Sequence, residues 1–169
     1  MVFNLHTIMF PFKEDLSARQ KNISNWNNTC EYIVLHHTAS IWDWNIKVLL
    51  GETARQVSCF TLIRQNWDAI KLSDPKNITW HAGESSWKWK KWLNKYSIWI
   101  EVEWPSFTEA QRKTVFWLVQ HLMAVFKIPK ENVITHAMIA PGRKTDIHPE
   151  FFPNWYDAWI SKLVPKEWK

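Results

Sequence analysis

The chain has 169 residues and a formal net charge of +5, with 46% hydrophobic and 22% charged residues. This balance is typical of one soluble globular domain, and no apolar run approaches the roughly 20 residues that a bilayer-spanning helix needs. The mild positive charge suits either nucleic acid or an anionic cell-wall polymer, so charge alone excludes neither partner.

Two features of the sequence bear on the compartment in which the protein works. The cysteines, Cys30 and Cys59, are too few for a disulfide framework, so we expect free buried thiols. The first residues, MVFNLHTIMF, have no Lys or Arg before their apolar stretch. This pattern predicts an N-terminal arm over 1–30, packed on a domain over 31–169, and no secretion signal. We therefore expect a cytoplasmic protein, or one released to the cell wall without a signal peptide.

Strand patterns alternate with helix patterns along the chain. In order, they predict a buried strand over 31–36, a short helix over 45–56, a strand over 57–64, its hairpin partner over 69–72, a half-buried strand over 97–103, a helix over 108–126, a short strand over 132–135, a loop over 140–153 and a closing helix over 155–163. This alternation is typical of an α/β fold. We expect a single domain with a mixed central β-sheet flanked by helices.

The helix over 108–126 has the clearest pattern. Its apolar residues form one stripe at helical spacing, made of Val115, Leu118, Val119, Leu122, Val125 and Phe126. Thr108 with Gln111, or Ser106 with Glu109, offers a capping box at its start. A proline shortly after the stripe predicts its end.

Histidines follow two of the predicted strands. His36 ends the strand over 31–36, and His136 comes directly after the strand over 132–135. Asp146 lies ten residues beyond His136, on a loop that can fold back. Two imidazoles, one carboxylate and an open position for water form a suitable ligand set for a catalytic zinc ion. At this level a structural role for each histidine stays open.

Several segments, in the same order along the chain, resemble the zinc N-acetylmuramoyl-L-alanine amidase family, which includes phage lysozyme-type amidases and peptidoglycan recognition proteins. The similarity runs from about Tyr32 to Trp155 and rests on YIVLHHTAS, RQVSCFTLIR, WHAGESSW, NKYSIWIEVE and VITHAMIAPGRKTDIHPEF. The last segment is long and highly specific. The resemblance implies one zinc ion, held by His36, His136 and Asp146 at the rim of the sheet.

The resemblance also implies roles for residues around the metal. Glu101, in NKYSIWIEVE, matches the catalytic acid, which takes a proton from the attacking water and gives it to the leaving amine. Lys144 matches a cleft lysine that stabilises the oxyanion, and His81 would line the cleft and contact substrate. Without the motif, Lys144 is better interpreted as a solvated loop residue. Glu103, on the same face of the strand, competes with Glu101 for the catalytic role.

Thr38 and Arg143 are further candidates for substrate binding. The chain also departs from the family pattern, because Phe60 and Thr61 stand where many members have His and Tyr. This difference leaves the catalytic role to Glu101. The third ligand is an aspartate, as in many bacterial enzymes, whereas receptors that have lost catalysis usually lack it, so the sequence favours an enzyme.

The implied function is hydrolysis of the amide between N-acetylmuramic acid and L-alanine of peptidoglycan by zinc-activated water. The alternative is a module that binds peptidoglycan without cutting it. We expect peptidoglycan or a muropeptide as the partner, no nucleic acid, no stable membrane insertion, and a monomer. The interleaved WKWKKW at 87–92 leaves a basic nucleic-acid binder as a second rival.

One feature of the composition is abnormal, because the chain has 14 Trp and only 3 Gly, where average usage gives about a dozen Gly. Trp67 lies in a predicted hairpin connection, where residues with positive φ are favoured. Trp99 and Trp104 stand where the resembled family usually has glycine. We hypothesise that many of these tryptophans come from UGA codons that the source genome reads as glycine. Trp80 and Trp87 match family tryptophans, and we expect them to be genuine.

Overall fold

A computed structural model describes residues 10–39, 43–147 and 151. The strands within these residues are β1 (Glu14–Asp15), β2 (Ile23–Asn27), β3 (Tyr32–His37), β4 (Thr61–Ile63), β5 (Ala69–Lys71), β6 (Asn77–Thr79), β7 (Ser86–Trp87), β8 (Lys90–Lys91), β9 (Ser97–Val102) and β10 (Val133–Thr135). The α-helices are α1 (Trp44–Leu49), α2 (Glu109–Phe126) and α3 (His136–Ile139). The predicted helix over 155–163 lies outside the described residues.

Six strands form the central sheet, in the order β1-β5-β4-β9-β3-β10. β3 pairs in parallel with β9 and with β10, and β9 pairs in parallel with β4. β4 and β5 form an antiparallel hairpin, as the sequence predicts. The sheet is therefore mixed, and the prediction of an α/β domain built on a mixed central sheet is confirmed. β2 with β6, and β7 with β8, form two separate two-stranded sheets.

The centre of the sheet is buried on both faces. All six residues of β9 are buried, with Ile98 and Ile100 in one core cluster beside Leu118 of α2. Trp99 points to the other face and packs with Val34 of β3 in a second cluster. The prediction of a half-buried strand over 97–103 is wrong, because alternate side chains of β9 enter separate cores on opposite faces.

α2 forms the predicted helix over one face of the sheet. The hydroxyl oxygen of Thr108 accepts a hydrogen bond from the Gln111 N–H at 3.1 Å, which caps the start of the helix. Its buried apolar residues are Val115, Leu118, Val119, Leu122 and Met123. Each such side chain contributes roughly 1.5–3 kcal/mol by leaving water. Val125, which the predicted stripe includes, is 46% exposed and lies outside this face.

Two elements are shorter than their patterns predict. α1 ends well before residue 56, because Gly51 takes a φ of 67° and a Cβ there would lie 2.6 Å from the Cβ of Asn22. β4 does not begin at residue 57, because the N–H of Ser58 donates to the carbonyl oxygen of Trp80 instead of joining the sheet. The end of α1 is thus a local stop at a glycine, whereas the start of β4 is set by a contact between distant segments.

Both cysteines are free and buried, as the sequence predicts. Burial raises the pKa of the Cys30 thiol to about 11 and that of Cys59 well above its ordinary value, so neither thiol is activated. Within the described ranges, every helix is too short or too polar to cross a membrane.

Candidate metal centre and active site

The parallel strands β3, β9 and β10 end at one edge of the sheet, and this edge carries the candidate site. His36 of β3 is paired in register with Glu101 of β9. β10 ends at Thr135, so that His136 begins α3 at the same edge. Because the carboxyl ends of parallel strands lie together, side chains from distant parts of the sequence meet here.

Asp146 joins the two histidines that the sequence singled out. The Nδ1 atoms of His36 and His136 lie 2.7 and 3.0 Å from the same Oδ2 atom of Asp146. One ligand atom from each of the three residues lies within 4.8 Å of the other two, which is close enough to hold a metal ion. The backbone fixes this arrangement, because the Ala137 N–H donates to the carbonyl oxygen of Asp146 at 2.6 Å.

The second ring nitrogen of His136 indicates that a cation belongs between these groups. His136 Nε2 lies 3.3 Å from the carbonyl oxygen of Ala82, which can only accept, so Nε2 carries the proton. In a neutral ring, Nδ1 then directs a lone pair at the carboxylate of Asp146. A metal ion between the Nδ1 lone pair and the carboxylate would remove the repulsion between them. The alternative is a second proton on the ring. A backbone carbonyl behind the imidazole is the usual support for a metal-bound histidine. The donor set therefore fits a divalent metal ion.

Burial also sets the charges that a metal requires. It lowers the pKa of His36 to about 3, so the ring is neutral at physiological pH. Burial raises the pKa of Asp146, but hydrogen bonding to His136 and His36 lowers it more, and the net value lies well below the ordinary range. A neutral imidazole and an ionised carboxylate are the forms that coordinate metal.

His81 supports His36 from the opposite side. His81 Nδ1 lies 3.2 Å from His36 Nε2, and burial lowers the pKa of His81 well below its ordinary value. The side-chain oxygen of Asn94 holds this segment by accepting hydrogen bonds from the N–H groups of Ala82 at 3.0 Å and His81 at 3.4 Å. Sequence reasoning missed Asn94, although it begins the NKYSIWIEVE segment, because the pattern there points to Glu101 and gives no sign of a contact with the His81 segment.

Glu101, and not Glu103, lies at the candidate metal site. Glu101 is 8% exposed, and its pKa is raised to about 8 because burial and the charge of Asp146 raise it more than Lys144 lowers it. A carboxyl with such a pKa can take up and release a proton near neutral pH. Glu103 turns away, and its Oε2 accepts a hydrogen bond from the Gln65 N–H at 3.1 Å.

A cavity of about 590 Å³ lies over the histidines. The sequence-predicted residues that line it are His36, His81, His136, Asp146, Glu101, Lys144 and Thr38. Trp44 and Arg55 also line it. Neither is predicted from the sequence as a site residue, although Arg55 begins the RQVSCFTLIR segment. This volume is sufficient for a small-molecule ligand or a short peptide-bearing sugar.

Arg143 is not among the described residues that line this cavity. Its Nη2 donates to the carbonyl oxygens of Ala82, at 2.6 Å, and of Glu84. A Cβ on Gly83 between them would lie 3.5 Å from the Arg143 guanidinium. Arg143 thus holds the same carbonyl that faces His136 Nε2. Its contact with substrate stays a prediction.

Comparison with known proteins gives a consistent result. The sequence profile of the N-acetylmuramoyl-L-alanine amidase family matches residues 26–149. The chain is 34% identical over 141 residues to N-acetylmuramoyl-L-alanine amidase AmiD of Escherichia coli K12. This aligned region covers 70% of this chain and 49% of AmiD. It is 32% identical over 115 residues to 1,6-anhydro-N-acetylmuramyl-L-alanine amidase AmpD of Citrobacter freundii. This second aligned region covers 66% of this chain and 62% of AmpD. The matched region thus spans about half to three-fifths of these curated relatives.

Solved structures share the fold. The complex of AmiD from E. coli with the substrate anhydro-N-acetylmuramic acid-L-Ala-D-gamma-Glu-L-Lys superimposes with a TM-score of 0.69 at 30% identity, over 85% of this chain and 60% of that one. The crystal structure of a selenomethionine derivative of AmpD gives a TM-score of 0.76 at 23% identity, over 98% of this chain and all of that one. Because the family profile covers most of the sequence, including both histidines and Asp146, the chain belongs to the N-acetylmuramoyl-L-alanine amidase family.

Proposed function

We propose that this chain is a zinc-dependent amidase that hydrolyses the bond between N-acetylmuramic acid and L-alanine in peptidoglycan or a muropeptide. The observation that carries the proposal is the convergence of His36, His136 and Asp146 beside Glu101 in one cavity. Family membership supports it, as do the names of the relatives AmiD and AmpD, which are amidases of this bond type.

His36, His136 and Asp146 would hold one zinc ion and leave a position open for water or substrate. Two imidazole nitrogens and a carboxylate oxygen are donors that zinc prefers, and all three residues are largely buried. When bound, the ion lowers the pKa of a water molecule and polarises the scissile carbonyl.

The surrounding residues supply the proton transfers and the charge. Glu101 takes a proton from the attacking water onto a carboxylate oxygen and later delivers it to the nitrogen of the leaving L-alanine. The ammonium of Lys144, at the cavity wall, stabilises the negative oxygen that forms on the attacked carbonyl. The Nδ1 atom of His81 contacts the Nε2 atom of His36 and so keeps the Nδ1 atom of His36 directed at Asp146.

The alternative function is recognition of peptidoglycan without cleavage, with Thr38 and Arg143 among the contacts. The position of Glu101 favours the enzyme, because a binding module has no need of a buried carboxyl with a raised pKa next to a metal site. A monomeric state and a cytoplasmic or cell-wall location remain predictions.

The proposal is tested with purified sacculi and with an anhydro-muropeptide, by mass spectrometry of the released L-alanine peptides. The zinc-loaded chain should release them, and E103Q should do so at a similar rate, since Glu103 faces away from the cavity. E101Q should bind zinc and muropeptide but release the L-alanine peptides about 10²–10⁴ times more slowly. Muropeptide binding without release by the parent chain would favour the non-catalytic module and contradict the proposal.

A further inference from the structure

Two tryptophans have a backbone conformation that suits glycine. Trp67 has a φ of 67° and Trp92 a φ of 60°. A bulky side chain is rare in this left-handed region, because its Cβ approaches the following carbonyl oxygen. The three glycines of the chain lie in the same region, with φ values of 67°, 59° and 77°. Trp67 and Trp92 therefore share the conformation that every glycine of the chain adopts.

The surroundings of these two side chains offer little compensation. Trp67 lies in the connection between β4 and β5, where its N–H donates to the carbonyl oxygen of Arg64 at 2.9 Å, and its side chain is 60% exposed. Trp92 follows β8, where its N–H donates to the carbonyl oxygen of Ser85 at 2.8 Å, and it is 54% exposed. In both turns the backbone is specified by main-chain hydrogen bonds, and the indole contributes little burial.

Trp99 presents the opposite problem, because it is fully buried in a space that is too small for it. Its ring centroid lies 3.3 Å from that of His81 and 4.5 Å from that of His36, whereas aromatic pairs usually lie about 4.5–7 Å apart. Its indole N–H is buried and has no hydrogen-bond partner among the described residues, although a buried tryptophan normally finds one. The indole thus occupies room beside the histidines of the metal centre.

One cause accounts for all three positions and for the composition of 14 Trp against 3 Gly. We infer that positions 67, 92 and 99 are glycine positions, and that the protein made in its own cells carries glycine there because the gene uses UGA as a glycine codon. Glycine relieves the backbone at positions 67 and 92 and opens space beside His36 at position 99. The statement on position 99 rests on the proposed metal centre, whereas those on positions 67 and 92 do not.

The conformational part is tested with W67G and W92G, made singly. Each should raise the melting temperature, by roughly 2–4 °C for a chain of this size. W117G is the matched control, because Trp117 is also about half exposed but lies within α2 and packs on Phe10 with ring centroids 5.0 Å apart. Glycine is unfavourable inside a helix, so W117G should lower the melting temperature. A decrease in all three variants would overturn the inference.

The part that concerns the site is tested with W99G and W99A, each freed of metal and titrated with Zn²⁺ by calorimetry. Both variants should fold, as judged by circular dichroism, and W99G should bind Zn²⁺ at least tenfold more tightly than the parent chain. Unchanged or weaker binding by both folded variants would contradict the assignment of position 99. Tighter zinc binding without amide hydrolysis would leave this inference intact and contradict the proposed function instead.

Peptide mass spectrometry of the protein isolated from its native cells decides the genetic part directly. Peptides that cover positions 67, 92 and 99 should contain glycine, and the corresponding codons should be UGA. Tryptophan in those peptides, or UGG codons at these positions, would overturn the inference.

Discussion

Replacing Glu101 by glutamine removes an ionisable group from the centre of the site and leaves the size of the side chain nearly unchanged. In the metal-free protein, burial and then the charge of Asp146 raise the pKa of Glu101 from 4.5 to about 8. Between these two values the folded chain retains a proton that the unfolded chain has released. The stability of the metal-free protein should therefore decrease as the pH rises from about 4.5 to about 8.

The size of this effect follows from the shift. Each pH unit within the window costs about 1.4 kcal/mol, so about 3 kcal/mol of unfolding free energy is lost between pH 4.5 and pH 7. This is an upper value, because water entering the cavity reduces the desolvation of the carboxylate. The glutamine in E101Q cannot ionise, so this variant should lose none of that unfolding free energy between pH 4.5 and pH 7. Its catalytic rate should nevertheless fall by about 10²–10⁴, because no group takes the proton from water.

The measurement is urea unfolding of the parent chain and E101Q in the presence of chelator, at pH 5, 6, 7 and 8. The stability of E101Q relative to the parent chain should increase steadily over this range. E103Q is the control for activity and should keep its turnover, because Glu103 binds the Gln65 N–H outside the cavity. An identical pH dependence for the parent chain and E101Q would refute the raised pKa, and full turnover by E101Q would refute its catalytic role.

Substitutions at three further positions test other parts of the structure. Asp146→Asn removes the charge that both histidines face, so chelator should no longer lower the melting temperature of this variant. The parent chain saturated with zinc should lose about 8–16 °C when chelator is added. A decrease in the melting temperature of Asp146→Asn on chelation would place the metal elsewhere. Arg143→Gln should weaken zinc binding about tenfold, because the carbonyl that orients His136 loses a donor. Arg143→Lys should restore part of this affinity, and equal affinities in all three chains would exclude a positioning role. Thr108→Ala should lower the unfolding free energy by about 1 kcal/mol through loss of the helix cap, with zinc affinity unchanged; an unshifted urea midpoint would contradict this.

The elements that the sequence predicts well are those whose pattern is local. The helix α2 follows from its apolar stripe and from Thr108 at its start, and the hairpin of β4 and β5 follows from two short apolar runs with a turn between them. The meeting of the two candidate histidines at one edge of the sheet also follows, because His36 lies near the end of β3, His136 comes directly after β10, and parallel strands end together.

The parts that could not be predicted depend on contacts between distant segments. Nothing in the sequence near Asn94 indicates that its side chain holds the His81 segment, and nothing near Arg143 indicates that it binds the carbonyl of Ala82. The burial of Glu101 is equally non-local. The pattern of β9 is that of a strand with one solvent-exposed face, but other elements of the fold cover both of its faces. These same contacts set the pKa values and ring orientations of the site.

The most direct test of the account measures bound zinc and released L-alanine peptide in the same samples of the parent chain and W99G, before and after treatment with chelator. We expect one zinc ion per chain, peptide release that is greater in W99G, loss of both on chelation, and recovery of both when Zn²⁺ is returned. Release that persists without zinc, or zinc bound to both chains with no release from either, would contradict it.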